Sequence, residues 1–61
     1  MPFEDGERVR VKDIKMFRPE YRLAFGTVDH YSLPSNLYIV IMPNGNECAY
    51  REEELEHVQA G

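Results

Sequence analysis

The chain predicts an all-β fold, a small five-stranded barrel with a long loop after strand 1 and a single 3-10 turn before the last strand. Three observations predict it. "ERVRVK", residues 7 to 12, alternates apolar and charged side chains, the period-two signature of a strand with one buried and one wet face. "LYIVIMP" and "NECAYR" flank Asn44-Gly45, a dipeptide that favours a tight hairpin between two strands. "EEELEHV", near the end, is too short to stand as a helix and reads as one turn.

Taken in order, Asp5-Gly6 reads as a turn before the first strand. In that strand Val9 and Val11 point one way, and Arg8, Arg10 and Lys12 the other. Residues 13 to 23, "DIKMFRPEYRL", have no clean period and contain Pro19, so they read as a long loop. "AFGTVDHY", 24 to 31, has the β-branched and aromatic content of a strand. Its internal Gly26 signals a bulge or a close backbone approach. "SLPSN", 32 to 36, is a turn, and the third strand runs from 37 to Pro43. Asn44-Gly45 predicts a two-residue type I′ turn with positive φ at both positions. The fourth strand follows, then one turn that places Leu55 in the core, then a short strand through Val58.

Sixty-one residues form one domain, 1–61. A chain of this size buries only about 60% of its unfolded surface, and at roughly 0.05–0.15 kcal/mol per residue its net stability is ~3–9 kcal/mol. Chains this small gain margin from disulfides, a metal or a partner subunit. A single cysteine, Cys48, rules out an internal disulfide. No apolar run follows a basic N-terminal segment, and the longest apolar stretch, 37 to 42, is too short to span a bilayer. With one lone thiol, the expectation is a cytoplasmic protein without membrane partners.

The net charge is −4, which weighs against nucleic-acid binding, but the charges are segregated. Six of the seven basic residues lie in the first 22 positions, while Glu52, Glu53, Glu54 and Glu56 cluster near the end. The simplest arrangement pairs the basic first strand with the acidic C-terminal segment across the sheet. The alternative is a basic face for phosphates.

Strand 37–42 is apolar on both faces: Leu37, Ile39 and Ile41 on one, Tyr38, Val40 and Met42 on the other. A small antiparallel barrel should wet one face. The second face therefore needs a cover: the long loop through Met16 and Phe17, a second copy of the chain, or a ligand or foreign partner. Tyr38, Val40 and Met42, with Met16 and Phe17, are the expected interface.

Chemistry-bearing motifs are sparse. His30, Cys48 and His57 lack the close spacing of structural metal ligands, so no metal site is expected. Ser32, Ser35 and Cys48 have no nucleophile motif around them, and Glu52 to Glu54 read as a solvated turn. Tyr21, Tyr31 and Tyr50 are the candidate ligand-binding residues. They could form an aromatic groove for a proline-rich peptide or a cage for a methylated ammonium group.

The pattern "GERVRVKD … GTV … YIVIMPNG … Y..EELE.V" resembles SH3-like barrels over nearly the whole chain. Two patches, "GERVRVK" and "YIV…G…Y…LE.V", are also similar to type II (type B) dihydrofolate reductase, an SH3-like homotetramer with its active site in a central pore. That resemblance implies NADPH as cofactor and Lys12 and Tyr50 as catalytic residues. Of the family's Val-Gln-Ile-Tyr pore segment only Tyr50 is kept. Glu47, Cys48 and Ala49 replace the other three, and a glutamate there would repel two anionic ligands. The leading expectation is a non-enzymatic binding or assembly module that associates with itself or with another protein and needs no cofactor. A reductase-like enzyme is the alternative, and nucleic-acid binding through the basic strand and loop is the third reading.

Overall fold

The computed structural model describes residues 2–12 and 19–58, and all structural statements below concern these. The expected Met16 and Phe17 contribution, like most of the long loop, lies outside them. Five strands form one antiparallel sheet: β1 (Arg8–Val11), β2 (Phe25–Ser32), β3 (Leu37–Ile41), β4 (Glu47–Tyr50) and β5 (Leu55–His57). The order across the sheet is β4-β3-β2-β1-β5. The sheet curls around a core but β4 and β5 share no ladder, so the barrel is open. A 3-10 turn at Glu52–Glu54 precedes β5, as expected, and a second at Pro19–Tyr21, not foreseen, leads into β2.

Alternation holds in every strand except at the bulge in β2. Val9 and Val11 of β1 face inward, as do Gly26 and Val28 of β2, Cys48 and Tyr50 of β4, and Leu55 of β5. Phe3 closes one end of this core, its ring edge-on to Tyr38 at 5.2 Å between centroids. Gly26 makes the close approach its position suggested: a Cβ there would lie 2.5 Å from Val40 Cγ1. The bulge sits further along β2, where the register slips between Val28 and His30. His30 lies on an internal strand and faces out.

The face assignment of β3 is the main correction. Tyr38, Val40 and Met42 are 1%, 0% and 2% exposed and form the centre of the core, whereas Leu37, Ile39 and Ile41 face outward. The β3–β4 turn explains the reversal. Its loop has three residues, not two: Met42 N–H donates to Asn46 O at 2.8 Å, and Gly45 N–H to Met42 O at 2.8 Å. Only Gly45 has positive φ (+88°), which matches a type I turn closed by a left-handed glycine and not a type I′ turn. A two-residue loop at Asn44-Gly45 would need an N–H from residue 43, and Pro43 has none. The extra loop residue shifts the register to Ile41↔Glu47 and Ile39↔Ala49. A one-residue slip turns every side chain over to the other face.

The expected pairing of basic and acidic segments is present. β1 lies beside β5, and Arg10 Nε donates to Glu56 Oε2 at 2.6 Å.

Candidate functional site

Three transverse rows make up the middle of the sheet's outer face. One crosses four strands, Glu47, Ile41, Thr27, Arg8, in directly paired positions. Ala49, Ile39 and His30 make a second row on one side of it. Phe25, Arg10 and Glu56 make a third on the other. The centre is apolar and partly exposed, with Ile39 and Ile41 half-buried and Phe25 39% exposed. A shallow depression along it is lined by Arg8, Phe25, Thr27, Ile41 and Pro43.

Charge on this face is distributed unevenly between rows. Arg10 and Glu56 satisfy each other within the chain. Glu47 and Arg8 stand at opposite ends of the central row with no ion-pair partner among the described residues. The Arg8 guanidinium rests over the Phe25 ring, 5.0 Å from its centroid, a contact that orients the side chain. His30 Nδ1 lies 2.6 Å from Asp29 Oδ2 at the bulge.

The sequence-derived ligand candidates separate in space. Tyr31 and Tyr50 are both cross-strand partners of Tyr38, and the Tyr31 and Tyr38 rings lie 4.8 Å apart. This cluster belongs to the core: Tyr50 is 3% exposed. Only Tyr31 reaches the surface, where its hydroxyl donates to Asn36 Oδ1 at 3.0 Å. It lines an open groove with Ser35, Asn36, Arg51, Glu52 and Glu53. Tyr21 sits elsewhere and clasps the β3–β4 hairpin. Its hydroxyl accepts from Asn46 Nδ2 at 2.9 Å and Asn44 Nδ2 at 3.2 Å. The three tyrosines therefore form no common surface.

The alternative catalytic pair also divides. The Tyr50 side chain points inward, and Lys12 is half-buried beside the 3-10 turn, its backbone N–H bonded to Glu54 O at 2.9 Å. Burial raises the pKa of the Tyr38 phenol, whose hydroxyl approaches the Phe3 backbone without the geometry of a full hydrogen bond. Among the described residues no three His, Cys, Asp or Glu side chains converge.

A second cluster lies at the N-terminal end. Glu7 Oε2 is 2.5 Å from His57 Nδ1, and the His57 ring packs on Phe3 at 4.5 Å between centroids. Glu7 Oε1 accepts from the Glu4 N–H at 3.1 Å. That backbone bond, with His57 adding to it, holds the Glu7 carboxyl below its ordinary range.

Comparison with family models, curated proteins and solved structures finds no match to this chain. The outer-face residues Arg8, Phe25, Ile39, Ile41 and Glu47 were not singled out as a site by the sequence pattern. The signal that could have found them was Pro43, which fixes the hairpin register and with it the face that β3 turns outward.

Proposed function

We propose that this protein is a small non-enzymatic binding or assembly module that docks onto a protein surface through the outer face of β2, β3 and β4. The observation that supports this reading is β3 itself. Its inner residues already fill the core, and its outer residues Leu37, Ile39 and Ile41 are apolar as well. Nothing in core packing requires that second apolar face. Covering it would remove apolar surface from water at about 25 cal/mol per Å². A chain whose own stability is only ~3–9 kcal/mol gains proportionately from such a cover. Apolar residues at the centre with Arg8 and Glu47 at the rim follow the usual division of labour, in which burial supplies affinity and charge sets orientation.

The test is a photo-crosslinking residue placed at exposed Ala49, next to Ile39 on this face, and another at exposed Leu33 in the β2–β3 turn as a control. Crosslinks to protein are expected in cells from position 49, suppressed by Ile39→Lys, and not from position 33. No crosslink from position 49, or crosslinks indifferent to Ile39→Lys, would remove this reading.

A further inference from the structure

We infer that the partner of the outer face is a second copy of the same chain, stacked face to face about a two-fold axis that runs along the strands between β2 and β3. This rests on the proposed docking function and specifies its occupant. The central row carries the geometry: Glu47 on β4, Ile41 on β3, Thr27 on β2 and Arg8 on β1 are aligned by direct pairing. Rotation about an axis between β2 and β3 exchanges β4 with β1 and β3 with β2. It therefore sets Glu47 of each copy opposite Arg8 of the other, and Ile41 opposite Thr27. In the neighbouring row Ile39 meets the partner's His30 position.

The row is complementary to itself reversed, which an isologous two-fold contact demands. The charges it uses, Glu47 and Arg8, have no ion pair among the described residues, while Arg10 and Glu56, one row away, are already matched. Arg8 is held in place over Phe25, so its side chain loses less freedom on pairing. Aligned face-to-face packing of two twisted sheets is a standard arrangement, at about 30° between strand directions. Four short strands offer less than the about 800 Å² per partner of a standard interface. The association is therefore weak and concentration-dependent.

Sedimentation of the intact chain over a concentration series tests this. The wild type should move between monomer and dimer. Glu47→Arg alone places arginine against Arg8 of the other copy, and Arg8→Glu alone places glutamate against Glu47. Each should weaken self-association roughly tenfold, since two rim pairs turn from attraction to repulsion. An equimolar mixture of the two variants should form a heterodimer at least as tight as the wild-type dimer, because both cross-pairs are then opposite in sign. Thr27→Lys, an exposed position next to the axis, should abolish association while circular dichroism stays native.

A wild type that is monomeric throughout overturns the self-pairing. The docking reading would then stand or fall on the crosslinks from position 49. A dimer lost with Thr27→Lys but blind to both charge variants overturns the axis and leaves the face in use. A dimer indifferent to Thr27→Lys overturns the inference outright.

Discussion

A methyl group added at Gly26 would meet Val40 Cγ1 at 2.5 Å, Ile41 O at 3.1 Å and Met42 Sδ at 3.1 Å. Two of these neighbours are fully packed core side chains and one is backbone, so little can give way. Gly26→Ala should cost about 1–3 kcal/mol, the range for overpacking a core, read as a lower midpoint in urea denaturation. A midpoint equal to wild type would show that β2 and β3 are looser than their packing suggests. The opposite sign is expected at Leu23. Its φ of +66° is a left-handed conformation that a leucine tolerates poorly. The side chain is 45% exposed and the N–H bonds to Val11 O, so glycine would keep the bond and lose little packing. Relief of about 1–2 kcal/mol, set against the about 0.5–1 kcal/mol of extra glycine entropy, predicts that Leu23→Gly stabilises by up to ~1 kcal/mol. Thermal denaturation of the variant against wild type decides it.

Strand existence was legible because alternation in β1 and the propensities of β2 to β4 are local properties of short windows. The orientation of β3 was not, because a strand apolar on both faces carries no alternation to read. The information lay one element away. Pro43 cannot donate the hydrogen bond that closes a two-residue loop, so the hairpin takes three, and Glu47 falls opposite Ile41. The candidate tyrosines separate because Tyr50 alternates inward with Cys48, Tyr31 stays at the surface end of β2, and Tyr21 lies on the first 3-10 turn against the hairpin. The N-terminal segment joins β2 and β5 through contacts no local window reveals. Gly6 N–H donates to Val28 O at 2.7 Å, Val28 N–H to Glu7 O at 2.8 Å, and Glu7 meets His57. Glu7 has a depressed pKa, so its carboxylate contributes stability above its ordinary value of 4.5, and that contribution fades as pH falls through the lowered value. The stability gap between wild type and Glu7→Gln should therefore be full near neutral pH and shrink in acid below pH 4.5. Urea midpoints across that range check it, and a pH-independent gap would show that the Glu7 charge does not anchor the segment.

For the molecule as a whole, the two faces of β3 separate stability from association, and adjacent residues can test that separation. Met42 is 2% exposed in the centre of the core, while Ile41 faces outward between Thr27 and Glu47. Truncating a buried methionine to alanine costs about 2–5 kcal/mol through lost transfer energy and the cavity left behind. Against a total of ~3–9 kcal/mol, that removes about half the folding free energy. Ile41→Ala takes away a side chain that is only half-buried in the single chain. Its cost, measured where the protein is monomeric, should stay below about 1.5 kcal/mol, the upper end for mild core swaps. At high concentration the order changes in kind. Ile41→Ala should lose the concentration dependence of the unfolding midpoint, because folding and association are linked by mass action when only the folded form pairs. Met42→Ala should keep that dependence while shifting every midpoint down. Finding Ile41→Ala as damaging as Met42→Ala in dilute solution would mean that both faces of β3 are buried within one chain, and the outer face would then have no second surface to offer.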